Sequence, residues 1–376
     1  MKKNYLLIIV LIAANSLFAQ APAGYYNSAT GTGFTLKTQL KRIIDNNNDG
    51  LTPEYQSVQL TYNDLYTTFP MSDVDIYYDH TNPNLGIILD MYSEIPSGPD
   101  NYEYVYGSSQ QDNGSGGTFE GDKFNREHTI PQSVFNQSLP MRSDAHFVIP
   151  SDKYVNGVRG NTPYGETNTP TYTSSNGTKL GNNRNADYAS GYTNTVFEPI
   201  DEFKGDIARM YFYFVTRYED QLTSFNAYDM FDGSANQGIA QPFLDILYNW
   251  HLQDPVSQRE LDRNNAIFSQ HNNRNPFIDN PSYVQIIWQS VLSNKSFSLS
   301  DNDISIYPNP LTNQVLTIKT PKNLNVSIFN VLGQNVFESK VTSKSNKLNL
   351  SKLKQGVYIV KLESSSGSIS KKLIIK

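Results

Sequence analysis

The chain of 376 residues contains no cysteine. That absence excludes disulfide staples, thiolate metal sites and cysteine nucleophiles together. Charge is sparse, with Asp, Glu, Lys and Arg making up 18% of residues, and there are only five histidines. No run reaches the roughly 18 consecutive apolar residues that a membrane-spanning helix needs. The nearest is Tyr5 to Ala14, preceded by Lys2 and Lys3. A short apolar stretch behind a basic start reads as a secretory signal over residues 1–20, cut after Ala19 or Gln20. An exported chain of roughly 350 residues can bury enough apolar surface to fold without cross-links.

What is abundant is Tyr (25), Gly (23) and Pro (19), together with Asn. Such a composition suggests a loop-heavy extracellular protein of short elements. Charge is uneven: residues 21–300 hold 17 Lys and Arg against 32 Asp and Glu, and residues 301–376 hold 11 against 4. An acidic body is awkward for a polyanion substrate. Within residues 121–160, however, Lys123, Arg126, Arg142, Lys153 and Arg159 balance Asp122, Glu127, Asp144 and Asp152.

Helical spacing of apolar residues predicts helices over Thr35–Ile44, Asp206–Tyr218, Gln241–Leu252 and Asp254–Gln270, with Pro255 in a first turn, and Pro281–Leu292 closes the domain. Leu85–Met91 reads as a strand. The Gly/Ser/Asn-rich stretches Ser97–Gly121 and Thr167–Asn194 read as loops. Asp45–Gly50 resembles the start of a calcium loop, but Gln56 stands where the bidentate Glu belongs, so an ordinary turn is the better reading. Beyond Ser296 the pattern switches to period two, as in Gly356–Leu362, which predicts a small all-β sandwich. The division expected is a signal over 1–20, a catalytic body over 21–296 and a β tail over 297–376.

Histidine is the side chain whose ordinary pKa suits base duty near neutrality. A lone histidine is more often structural, but His128 follows Arg126 and Glu127 directly, and Pro131 comes soon after. Glu127 and His128 would point to opposite faces of a regular strand, so reaching one metal–water unit requires a bend there. Asn156, 29 residues beyond Glu127, can add an amide oxygen from a short helix. A carboxylate and an amide make a hard, sparsely liganded site that suits Mg²⁺. Base, metal ligands and nearby arginines are the parts needed to cut a phosphodiester. A zinc-protease reading fails, because no His-Glu-x-x-His is present.

At these residues the chain resembles the bacterial endonuclease I family, of the His-Me finger (ββα-metal) type. The resemblance rests on Arg126-Glu127-His128 with Pro131, Asp144-Ala145-His146 with Pro150, and Val155-Asn156-Gly157 with Arg159-Gly160-Asn161. It continues through Gly205–Tyr213, Asp254-Pro255-Val256, Arg263-Asn264 and Asn273–Asp279. It implies an α+β fold: a ββα-metal core with surrounding helices, followed by the small all-β sandwich. It also implies His128 as general base, Glu127 and Asn156 as ligands of one Mg²⁺, and a non-specific endonuclease acting on DNA, with RNA a second substrate. Two departures matter. Cysteine-bridged members hold themselves with disulfides, absent here. Those members also carry a phosphate-steadying arginine in an insertion this chain lacks. Arg159 or Arg142 would have to stand in for it, with Arg126 and Arg142 as substrate contacts. Phe147 replaces a second histidine found in many members, so His146 is expected to be structural.

The tail resembles the C-terminal sorting domain of type IX secretion cargo, through Ile306-Tyr307-Pro308-Asn309-Pro310, the Gly356-Val357-Tyr358 strand and the basic end Lys371–Lys376. It implies a partner in the type IX machinery and a secreted or cell-surface location. A monomer is expected. The competing reading from another class is a surface-attached glycan- or DNA-binding adhesin, to which abundant Tyr and Asn would suit sugar stacking; it leaves Glu127, His128 and Asn156 without a role.

Overall fold

The structure is a computed structural model that describes residues 21–45, 55–184, 192–292, 304–320, 323–331, 333–342, 346–364 and 367–376. The expected signal, most of the Asp45–Gly50 turn and the boundary near Ser296 lie outside the described residues.

Helices α1 (Gly33–Ile44) and α2 (Leu65–Ser72) come first. Next is an antiparallel pair, β1 (Phe124–His128) and β2 (Val148–Asp152), followed without a linker by helix α3 (Lys153–Arg159). Strands β3 (Thr167–Thr173), β4 (Lys179–Asn183) and β5 (Thr195–Glu198) form a second antiparallel sheet. Helices α4 (Lys204–Arg217), α5 (Gln241–Gln253), α6 (Gln258–His271), α7 (Pro276–Asp279) and α8 (Ser282–Trp288) complete the body.

The centre of this body is α4, all of whose residues are buried. A helix buried all round is a core helix, and here its polar members are matched by charge. Arg209 pairs with Glu260 at 2.5 Å, Arg217 with Asp144 at 2.6 Å, and Asp206 with Arg259. Gly205 is required by close approach, since a Cβ there would sit 2.1 Å from the Asp254 carbonyl oxygen. The aromatic face of α4 packs Phe212 against Trp288 and Phe214 against Phe147 and Phe231.

The remaining strands are β6 (Ser305–Tyr307), β7 (Val315–Lys319), β8 (Leu324–Asn330), β9 (Asn335–Val341), β10 (Lys347–Asn349), β11 (Gly356–Ser364) and β12 (Gly367–Ile375). They make a three-stranded sheet, β10-β7-β6, and a four-stranded sheet, β12-β11-β8-β9. One apolar core, including Leu316, Ile318, Val326, Ile328, Val360 and Leu362, is shared by both sheets, as the period-two pattern requires.

Three sequence expectations are corrected. Leu85–Met91 is not a strand; only isolated bridges form at Ile87 and Ile88. Asp90 ends the extended run by accepting from the Tyr92 amide and the Ser93 hydroxyl. Thr167–Asn194 is not all loop, because β3 and β4 pair within it, with register shifts around Pro170. The helix expected from Asp254 starts at Gln258 instead. Ser257 caps it by accepting from the Glu260 amide, and Glu260 returns the contact, so Pro255 lies ahead of the first turn.

Candidate active site

The site grows from the β1–β2–α3 unit. Register pairs Glu127 with Ile149 and His128 with Val148, and Asp152 ends β2 opposite Phe124. Asp152 then caps α3, accepting from the Tyr154 and Val155 amides at 2.7 and 2.9 Å. Its other oxygen accepts from the Tyr104 hydroxyl and the Gly121 amide. A side chain that uses both oxygens in this way fixes where α3 begins.

Alternation along β1 sorts its side chains onto two faces. Asn125 and Glu127 meet α3. The Asn156 amide donates to Asn125 Oδ1 at 2.9 Å, and Arg159 donates to Glu127 Oε1. Arg126 and His128 meet other partners. Arg126 donates to the Tyr62 carbonyl at 2.9 Å, and His128 Nε2 lies 3.0 Å from the Arg142 carbonyl. The bend expected between Glu127 and His128 is therefore not there: both belong to the regular ladder, and the two side chains leave it on opposite faces.

On the α3 face, Glu127 is 2% exposed and Arg159 1%. The Glu127 Oε1 atom accepts from Arg159 and from the Tyr92 hydroxyl at 2.9 Å. Burial pushes the Glu127 carboxyl up and Arg159 opposes the push. Arg159 also donates to the His128 and Thr129 carbonyls at 2.8 and 2.7 Å and lies over the Tyr164 ring. Every direction of this guanidinium is taken by the protein. Asn156, by contrast, is partly exposed, and its amide nitrogen is the atom committed to Asn125. Its carbonyl oxygen and the Glu127 carboxylate come from facing elements and are both hard donors, a set that fits Mg²⁺.

On the other face, His128 is 5% exposed, with its ring 5.8 Å from Tyr62 and 6.1 Å from Phe135. Because the Arg142 carbonyl only accepts, Nε2 carries the proton and Nδ1 keeps the lone pair. Burial holds the imidazole down at about 4, and Arg142 and Arg126 add to the effect. It is neutral at pH 7. The guanidinium groups of Arg126 and Arg142 lie 3.5 and 4.3 Å from the Tyr62 ring centroid. Both residues are partly exposed, and no ion pair among the described residues uses either.

His146 is structural, with Nε2 3.1 Å from the Asn273 carbonyl deep in the core. Sequence reasoning missed Asn125, Tyr62, Tyr92 and Tyr164; only the high tyrosine content hinted at aromatic and hydroxyl partners. It also missed a second group of possible metal ligands, Asp75, Asp79 and His80.

The family model for Endonuclease I matches residues 32–282, and that for the secretion system C-terminal sorting domain matches residues 305–376. Two relatives named extracellular ribonuclease, from Bacillus subtilis and Bacillus amyloliquefaciens, are each 30% identical over 275 residues. Each alignment covers 70% of this chain and 78% of the relative. An endo-acting ulvan lyase from Formosa agariphila is 29% identical over 98 residues, covering 24% of this chain and 19% of its own, too little to bear on activity. Endonuclease I nucleases are metal-dependent, in keeping with the hard donors described above. No helix among the described residues is long and apolar enough to cross a membrane. The chain belongs to the endonuclease I family, and is a secreted or cell-surface nuclease that carries a C-terminal sorting domain of type IX secretion.

Proposed function

We propose that this nuclease hydrolyses phosphodiester bonds within DNA and RNA without base preference. His128 is the general base, and Glu127 and Asn156 hold one Mg²⁺. The observation that carries the reading is the β1–β2–α3 unit, which we take as the ββα-metal, His-Me finger motif. It presents a tautomer-fixed histidine at the end of β1 and two hard oxygen donors across the strand from it.

The phosphodiester lies across the end of β1, reached by Glu127 from the α3 side and by His128 from the arginine side. His128 Nδ1 takes the proton of the attacking water, and its Nε2–H stays on the Arg142 carbonyl throughout. Arg142, stacked on Tyr62 and committed to no carboxylate, binds the phosphate, with Arg126 beside it. Arg159 is reassigned: held by Glu127 and two main-chain carbonyls, it positions Glu127 and the His128–Thr129 backbone and does not touch substrate. A bound Mg²⁺ would supply charge neutralisation at the phosphoryl oxygens and the leaving 3′ oxygen. Products then carry 5′ phosphates. Arginines directed at phosphates carry no sequence information, hence the lack of base preference. RNA stands beside DNA because the Bacillus relatives are named ribonucleases.

In this reading residues 21–296 are the nuclease and act as a monomer, and residues 297–376 engage the type IX machinery before the tail is removed. The test is cleavage of supercoiled plasmid and of a structured RNA by the mature protein with Mg²⁺, with EDTA, and as His128→Ala. Metal-dependent cutting that vanishes in the variant is expected. Undiminished cutting in EDTA, or in the variant, would refute the assignment.

A further inference from the structure

Between α2 and β1 the chain runs from Asp73 to Lys123 with almost no regular secondary structure, yet much of it is packed. It carries carboxylates that no cation of the protein answers. Asp75 is 1% exposed, and its Oδ2 atom is buried without a hydrogen-bond partner. Glu94 is also 1% exposed, and both of its carboxylate oxygens are buried without partners. Ligand atoms of Asp75, Asp79 and His80 all lie within 4.8 Å of one another. Asp100 holds the turn by accepting from the Ile95 amide at 2.6 Å. No lysine or arginine among the described residues forms an ion pair with Asp75, Asp79, Glu94 or Asp100. His80 is the one basic group in contact, 2.9 Å from Glu103 and 3.4 Å from Asp79.

Burying unpaired carboxylates is costly unless a proton or a cation neutralises them. Burial pushes the Glu94 carboxyl up to about 9, with Asp100, Asp75 and Asp79 adding to the push. Asp75 and Asp100 are each pushed up to about 6, burial again the first cause. Of these groups, Asp75 and Asp79 have ligand atoms within 4.8 Å of one another and of His80, and Glu94 stands near enough for the charges of Asp75 and Asp79 to bear on it. Unpartnered carboxylate oxygens of this kind suit a hard divalent ion of six to eight oxygen ligands.

We propose that Asp75, Asp79 and Glu94 form a structural Ca²⁺ site, separate in its residues from the catalytic Mg²⁺ ligands, with His80 at its edge. Two of its carboxylates come from the stretch after α2 and one from the Asp90–Glu94 turn, so a bound ion adds to the two main-chain bonds that join these stretches, Asp75 N–H to the Ile87 carbonyl and Leu89 N–H to the Asp73 carbonyl. Asp90 in that turn accepts from the Asp152 amide at 2.8 Å. The ion thus braces the residue that starts α3. A cysteine-free protein outside the cell meets calcium at millimolar levels, the range in which extracellular calcium modules bind.

The test is thermal unfolding of the full chain in about 2 mM Ca²⁺ against EDTA. It is run on wild type, Asp79→Asn, Glu94→Gln and Asn156→Ala. Calcium is expected to raise Tm by about 5 °C or more in wild type and Asn156→Ala alike. The rise should shrink to about 1 °C or less in Asp79→Asn and Glu94→Gln. Terbium luminescence excited through Tyr77 and Tyr78 in the Asn156→Ala protein should appear and then fall as Ca²⁺ is added. No calcium shift in wild type would mean that protons neutralise the cluster, and would overturn the proposal. So would a shift undiminished in Asp79→Asn and Glu94→Gln, or one lost in Asn156→Ala, which would place the ion with the catalytic ligands.

Discussion

Replacing Arg159 by Met separates a positioning role from a phosphate-binding one. The side chain is wholly buried and the Glu127 side chain is 3% exposed, so Arg159→Met leaves a carboxylate in the core without its cation, held by the Tyr92 hydroxyl and the His128 amide. Breaking a buried pair from one side costs about 3–5 kcal/mol. The His128 carbonyl loses its 2.8 Å donor as well, whereas the Thr129 carbonyl keeps the Tyr211 hydroxyl at 2.9 Å. At about 2–4 °C per kcal/mol for a body of this size, Tm should fall by about 10 °C. The double variant Glu127→Gln/Arg159→Met removes the charge that made the single change costly. It should be about 2 kcal/mol more stable than additivity of the single changes allows. The pH sign follows from the same contact. Burial already holds the folded pKa of Glu127 above its unfolded value of about 4.3, and without Arg159 it rises further. The variant's deficit is then small below that pH and grows as pH rises. Urea unfolding at pH 4 and pH 7 measures both effects. Near-wild-type stability of Arg159→Met, together with lost cleavage and no coupling to Glu127, would refute the reassignment and return Arg159 to the substrate.

Three further outcomes are expected. His128→Ala should lower cleavage by about 10²–10⁴-fold while leaving Tm and metal binding close to wild type; a near-normal rate of the purified variant removes it as base. Asn156→Ala should raise the Mg²⁺ concentration needed for half-maximal cleavage, and an unchanged metal titration would remove Asn156 from the ligand set. Burial holds His128, His251 and His271 down at about 4 and His146 at about 3. Between these values and about 6.5 the unfolded chain binds more protons than the folded one, so stability is present above about pH 6.5 and is lost as pH falls towards 4. Burial pushes Asp90 and Asp254 up to about 7 and Glu94 up to about 9, which acts in the opposite sense. The check is therefore a comparison with His251→Gln: the same pH dependence of Tm from 7 to 4.5 in wild type and variant would contradict that burial.

The residues of the proposed site stand out in sequence because they are adjacent or helix-spaced. Arg126-Glu127-His128 stands out as a base beside a carboxylate, and Asn156 as an amide on a short helix. What sequence could not give is which face each side chain takes. Asn125 meets Asn156, and Glu127 meets Arg159, only because β1 pairs with β2 in one register and α3 starts where Asp152 caps it. The sequence counts five residues of positive charge around the site but cannot say that Arg159 is already spent on Glu127 while Arg142 rests on Tyr62. The stretch Leu85–Met91 was misread for a related reason. Its apolar run looks like a strand, but Asp90 supplies local acceptors that compete with a ladder.

The acidic body and the phosphate substrate are reconciled at the same place. Residues 21–300 carry an excess of 15 negative charges, which would repel a polyanion over most of the surface. Many of those carboxylates are not surface charges, however. Asp73, Asp144, Asp206, Glu127, Glu260 and Asp279 are each paired with a buried or nearly buried arginine. Their field is cancelled at contact distance, but the arginines that cancel it are already counted, so the excess of 15 rests on the other carboxylates. Arg126 and Arg142 are placed differently: they lie on Tyr62, partly exposed, with no carboxylate of their own. In the proposed function, a substrate phosphate is the anion that these two guanidinium groups meet. Burial is the main reason that His128 is held down, and the charges of Arg142 and Arg126 add to it; in that reading a phosphate settling between them would offset that added part. Under the proposed function, these two arginines would then link phosphate binding to the basicity of Nδ1.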